Sequence, residues 1–156
     1  MKLELKKENV PNIGLNDIKA GETFRFYKNK SLERSVQDKE IYMKLNSDDF
    51  KCVQLSGDCA IVKRFGPLVG HMVKTKIKTH HIEKENIIML QEVEIGEVVS
   101  IYIGDSVFMD NVFMIANNPI EKNLTSLVDL ETGDIHKMSN EVLCCCHTTS
   151  LLVEEV

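Results

Sequence analysis

What the sequence lacks narrows it first. No stretch approaches eighteen consecutive apolar residues, so no membrane-spanning helix is predicted. The opening run, Met1-Lys2-Leu3-Glu4-Leu5-Lys6-Lys7-Glu8, alternates charged and apolar side chains and has no apolar core of the secretory kind, so no signal peptide is expected. Cysteines number five, an odd count, with three adjacent at Cys144, Cys145 and Cys146. That is a poor disulfide framework and points to a reducing compartment, so a cytoplasmic location is expected. A phosphate-binding loop is missing too. Gly66-Pro67-Leu68-Val69-Gly70-His71 lacks the lysine and hydroxyl that the motif requires.

What remains is the composition of a globular chain, 43% hydrophobic and 28% charged over 156 residues. That length suits one ordinary domain or two very small ones. The net charge of −5 hides a split. Residues 1–86 hold seventeen Lys and Arg against twelve Asp and Glu, whereas residues 87–156 hold only Lys122 and Lys137 against twelve acids. Such a split bears on association and solubility rather than on fold.

Three blocks recur in the same order. Ile18–Phe26 is echoed by Val93–Ile101, with Gly21 and Gly96 separated by 75 residues. Ile41–Asn46 is echoed by Val112–Asn117, with Met43 and Met114 separated by 71, and Val53–Asp58 by Val128–Asp134, with an offset of 75 between the valines. The Gly-Glu pairs stand where a turn feeds a strand, and glycine tolerates the positive φ such turns need. The Gly-Asp pairs lie between apolar runs and read as hairpin turns. Helical periodicity is weak throughout. The expected fold is mainly β: two tandem small, strongly bent antiparallel β-barrel-like modules related by internal duplication. The first module spans 1–73, a basic connecting strand or linker 74–88, and the second module 89–156. Modules this small bury little apolar surface alone, so a shared core and a homo-oligomer are expected.

The Gly-Glu strand opening, the Tyr/Phe-Met strand and the Val-x-Leu run before Gly-Asp, carried by Ile18–Phe26, Ile41–Asn46 and Val53–Asp58, resemble small β-barrel accessory proteins of bacteriophages. The motif consists of turn and core residues, so it speaks for a fold and is nearly silent on activity. It implies an accessory protein working in the cytoplasm of a host bacterial cell. The segment Lys74 to Asn86 departs from the pattern, having no evident counterpart after the second module.

Candidate chemistry is sparse. Three consecutive cysteines on a strand would place Cys144 and Cys146 on one face and Cys145 on the other, and core packing is the simpler reading over a metal site. Cys52 and Cys59 flank a turn. No ordered nucleophile–base set is evident, and no catalytic residue, metal or cofactor is expected. The alternation Val73-Lys74-Thr75-Lys76-Ile77-Lys78-Thr79 would put Lys74, Lys76 and Lys78 on one strand face, with Lys63 and Arg64 before it. Those five cations are the candidate phosphate contacts and Tyr42 the candidate base-stacking ring. The plain alternative is an edge strand protected by lysines. Overall acidity argues against nucleic acid as the partner.

The function expected from these features is non-enzymatic binding: capture of a small anionic, nucleotide-like ligand such as a host immune signal. The alternatives are a protein–protein inhibitor acting on a host protein through Asp105, Asp110, Asp129, Glu131 and Asp134 of the acidic half, or a minor virion component.

Overall fold

A computed structural model describes residues 1–6, 12–26, 40–47, 50–63, 68–82, 87–104, 107–108, 110–117 and 123–155. Fourteen strands and two single-turn 3-10 helices make up its regular structure. β1 (Lys2–Lys6) and β2 (Asn12–Gly14) come first, followed by the 3-10 turn Leu15–Asp17 and then β3 (Thr23–Phe26), β4 (Tyr42–Lys44), β5 (Lys51–Gln54), β6 (Ile61–Lys63) and the long β7 (Leu68–Ile82). The second half holds β8 (Ile88–Met89), the 3-10 turn Leu90–Glu92, β9 (Val98–Gly104), β10 (Val107–Phe108), β11 (Phe113–Ala116), β12 (Leu124–Asp129), β13 (Ile135–Ser139) and the long β14 (Leu143–Glu155). No helix among the described residues is long and apolar enough to cross a membrane.

The halves correspond at the level of register. Thr23 pairs with Met72 and Met43, and Met43 with Val53. In the second half Val98 pairs with His147 and Met114, and Met114 with Val128. The turn glycines behave alike: Gly21 N–H donates to Lys44 O and Gly96 N–H to Ile115 O, both at 2.8 Å, with φ of +85° and +89°. These registers define equivalent positions, among them Lys44 with Ile115, Leu55 with Leu130, Met72 with His147, and Lys74 with Thr149.

Mainly-β architecture is as expected, but the sheet does not close into a barrel. A path of hydrogen-bonded neighbours runs β13-β12-β11-β9-β14-β7-β3-β4-β5-β6 and stops at both ends. The cause is the antiparallel pairing of β7 with β14, from Met72↔Glu155 to His81↔Thr148. This splices two half-sheets into one open sheet and leaves neither half to curl upon itself. The boundary expected at Val73 falls inside β7, and residues 74–82 form the central strand. Their counterpart after the second half is the C-terminal part of β14.

Three apolar clusters follow from strand alternation. The central one draws equally on both halves, with Met43, Val53, Leu55 and Met72 packed among Met114, Val128, Leu130 and Leu151. Flanking it are one cluster per half: Leu15, Phe24, Phe26 and Tyr42 with Cys52, and Leu90, Val99, Ile101 and Phe113 with Leu127. The halves thus share one core.

Candidate functional site

Where β7 and β14 cross the middle of the sheet, each half sets a turn against the other. On one side the contact is closed. A methyl group on Gly133 would sit 2.5 Å from Lys44 O and 2.7 Å from Gly21 N, and one on Gly21 would sit 2.7 Å from Glu131 O. Asn46 N–H donates to Gly133 O at 3.0 Å, and its side-chain amide donates to Asp134 Oδ1 at 2.7 Å, which with Thr132 holds that carboxyl below its usual range. Lys74 fills the remaining notch. Its Nζ donates to Leu130 O and, at 2.8 Å, to Glu131 O, and lies 3.8 Å from the Glu131 carboxylate. Burial pulls its pKa down, and Glu131 and Asp129 pull the other way.

On the other side the equivalent crossing is also hydrogen-bonded, Ile61 N–H donating to Asn117 O at 3.3 Å, but a cleft lies beside it. There the Leu55–Cys59 turn of the first half faces the Ile95–Val98 turn of the second, and between them lies a cleft of about 470 Å³. Its floor is β14, through His147 and Thr149. Two replacements and one wedge account for the opening. Thr149 stands where Lys74 stands on the closed side, and its side chain is too short to cross. His147 stands where Met72 does. Cys59 makes the same kind of crossing that Gly133 makes, since Asn117 N–H donates to Cys59 O at 2.9 Å as Asn46 N–H does to Gly133 O. Cys59 has a side chain, and a methyl on Gly96 would lie 3.1 Å from its Sγ. It also adopts φ +48°, a left-handed backbone that non-glycine residues seldom occupy and that often marks functional sites.

The cleft wall carries two buried polar atoms without a hydrogen-bond partner among the described residues, Thr149 Oγ1 and His147 Nδ1. Thr149 is 1% exposed. The other ring nitrogen of His147 lies 2.5 Å from Ser100 Oγ, and burial lowers the pKa of the imidazole, which favours its neutral form. Glu97, Met1 and Ser56 also line the cleft, the Ser56 hydroxyl donating to Glu40 Oε2. Burial raises the pKa of the Cys59 thiol; the ammonium of Met1 opposes this, and Asp58 and Glu40 reinforce it. A protonated thiol is a weak nucleophile and a weak metal ligand.

A second, smaller cavity of about 260 Å³ shares Ile95 with the cleft lining and is bounded by Leu90, Ile115, Thr125 and Asn140. It too has a filled counterpart. In the first half Lys44, equivalent to Ile115, donates its Nζ to Leu15 O at 3.0 Å and stands 5.8 Å from the Phe50 ring centre.

The residues singled out from sequence do not converge. Lys74, Lys76 and Lys78 do not share a face, because the register shifts between Lys76↔Leu152 and Lys74↔Val153. One extra residue on β7 turns Lys74 to the core side with Met72 and Ile77, while Lys76 and Lys78 stay opposite. Lys63 is exposed on β6, the terminal strand of the path, and Arg64 lies outside the described residues. Tyr42 is 5% exposed, stacked on Phe24 at 5.9 Å and edge-on to Phe26 at 4.8 Å, so its ring is a core element. Among the acids proposed for a partner surface, Asp129 is buried and accepts from Asn111 and from the Glu131 and Thr132 amides, Glu131 meets Lys74, and Asp134 meets Asn46. Asp110 is exposed, and Asp105 lies outside the described residues.

Cys144 and Cys146 pack into the second-half cluster, and burial pushes the Cys144 thiol to about 12. Cys52 and Cys59 belong to different clusters and do not face each other. Among the described residues no group of three or more His, Cys, Asp and Glu is placed to hold a metal. The residues that form the cleft, Cys59, Glu97, His147 and Thr149, were legible only by aligning the two halves and asking where a small or polar residue replaces a long one. No family model, no curated protein and no solved structure matches this chain.

Proposed function

We propose that this is a non-catalytic binding protein that takes a small molecule into the cleft between its halves, and that the halves descend from one duplicated unit whose second copy opened as a ligand site. One observation carries the reading: Thr149 Oγ1 and His147 Nδ1 are buried and have no partner among the described residues, and both residues line a cleft of about 470 Å³. Leaving a buried polar atom unpaired costs about 1–3 kcal/mol, so a ligand that pairs both recovers that loss on binding. The volume lies within the range of small-molecule pockets, and interfaces between packed units are where such pockets concentrate. The raised thiol pKa of Cys59 favours binding over nucleophilic chemistry.

A nucleotide held by the lysine row is the weaker form of this reading. Lys74 is committed to Leu130 and Glu131, Tyr42 to the core, and Glu97 gives the cleft a negative side chain. Native mass spectrometry of the full chain, after incubation with a bacterial small-molecule extract, tests the proposal. A retained adduct that disappears in Thr149→Lys, with the fold intact by circular dichroism, is the expected result. An adduct unaffected by that substitution places the ligand elsewhere and refutes the cleft.

A further inference from the structure

The pairing of β7 with β14 leaves the two long strands with unlike outer edges. Leu151↔Ile77 is a middle pair, flanked by Ser150↔Lys78 and Leu152↔Lys76, so exchanging the strands makes Ile77 the equivalent of Leu151 and Lys76 that of Ser150. The far edge of β14 is covered. β1 runs parallel along it, from Lys2↔Ser150 to Lys6↔Glu154, and Leu3, opposite Leu151, packs on the central cluster. Leu151 and Ser150 are both 0% exposed. The far edge of β7 has no such strand among the described residues. Met72 pairs with Thr23 of β3 on one edge and with Glu155 of β14 on the other. Because Thr23 is the first residue of β3, the first of these edges carries no described ladder beyond Met72. There Ile77 is only half-buried and Lys76 is exposed, where their counterparts are sealed.

We propose that this edge of β7 is a docking site for an extended acidic segment of another protein, which adds to the sheet as a parallel strand in the place that β1 takes on β14. An uncovered edge offers a row of backbone N–H and C=O groups. Strand addition satisfies them, while alternate side chains set the specificity. β1 is the template within the same molecule. An apolar residue opposite Ile77 would cover it as Leu3 covers Leu151, and the residues on either side would lie opposite Lys76 and Lys78. Acids at those two positions make favourable cross-strand pairs, whereas lysines there are repelled. The same repulsion disfavours a second copy, since antiparallel pairing of two β7 strands centred on Ile77 sets Lys76 of one opposite Lys78 of the other. Residues 1–86 hold seventeen cations against twelve acids, a field that draws an acidic partner to this half. The edge is separate from the cleft, whose lining includes no described residue of β7.

Titration of the full chain with an end-blocked peptide of alternating glutamate and valine tests the proposal by calorimetry and amide NMR. Its lysine–valine counterpart, and two forms N-methylated on the glutamates or on the valines, serve beside it. Saturable binding of the glutamate–valine peptide is expected, with shifts and slowed hydrogen exchange among the amides of residues 75–79 of β7. Lysine–valine should bind at least tenfold more weakly, and one of the N-methylated forms, the one whose methyls meet the ladder, should not bind. Lys76→Glu, at an exposed position, should weaken the acidic peptide tenfold or more with the fold intact by circular dichroism. Absence of saturable binding, binding by both N-methylated forms as tight as by the parent, or binding unaffected by Lys76→Glu overturns the proposal. Shifts of those amides by oligothymidylate and not by the peptide overturn it in favour of nucleic acid. Shifts on raising the concentration of the protein alone overturn it in favour of a second copy.

Discussion

Replacing Gly133 by alanine tests the closed junction between the halves. The substitution acts through two separable effects. Gly133 has φ +77°, where an L side chain costs roughly 1–2 kcal/mol of backbone strain. Its new methyl would also lie 2.5 Å from Lys44 O and 2.7 Å from Gly21 N, both backbone atoms that yield only if the halves move apart. Overpacking of that kind costs about 1–3 kcal/mol. The sum is about 2–5 kcal/mol, and for a chain of this size each kcal/mol lowers the melting temperature by about 2–4 °C. Gly104 supplies the control. Its φ is +105°, yet nothing lies within 4 Å of an added methyl, so Gly104→Ala carries the strain without the collision. Thermal unfolding of both variants by circular dichroism, with urea titration for the free energies, should show Gly133→Ala the more damaging by at least 1 kcal/mol. Equal losses would mean that the halves do not approach each other as described.

Further outcomes follow from single residues. Lys74→Met keeps the aliphatic stem and removes the ammonium, leaving the Leu130 and Glu131 carbonyls without it, and should cost about 1–2 kcal/mol in urea unfolding; charge-assisted hydrogen bonds are worth more, but burial of the ammonium offsets part of theirs. Tyr42→Ala should cost about 3–5 kcal/mol as a core truncation, whereas loss of ligand binding at unchanged stability would restore the stacking role. Because His147 has its pKa lowered in the fold, its contribution to stability is full above the ordinary imidazole value of 6.5 and is lost as pH falls from there through the lowered folded value. Unfolding measured between pH 7.5 and 5 should therefore steepen in the native chain and flatten in His147→Gln; identical slopes would remove His147 from the account.

Much of the fold was legible because it rests on local rules. Gly21 and Gly96 need positive φ, the Met43 and Met114 runs alternate as buried strands do, and both features sit at fixed offsets. Closure was not legible, because it depends on how β7 and β14 pair across about seventy residues of chain rather than on any one segment. The lysine row failed for a related reason. Alternation puts Lys74, Lys76 and Lys78 together only while the register is unbroken, and a bulge near Thr75 leaves no mark in the sequence. Tyr42 is a candidate stacking ring from the sequence, but its partners Phe24 and Phe26 come from the neighbouring strand and enclose it. The cleft is defined by a difference between halves. Thr149 becomes informative only when set beside Lys74, and Cys59 only when set beside Gly133.

The central claim is that the notch closed by Lys74 on one side is a ligand site on the other. A crystal structure of the protein soaked with the small molecule it retains from a bacterial extract tests it most directly. The account predicts density in the cleft within hydrogen-bond distance of Thr149 Oγ1 and His147 Nδ1. An empty cleft, or the molecule bound only on the outer face, would contradict it.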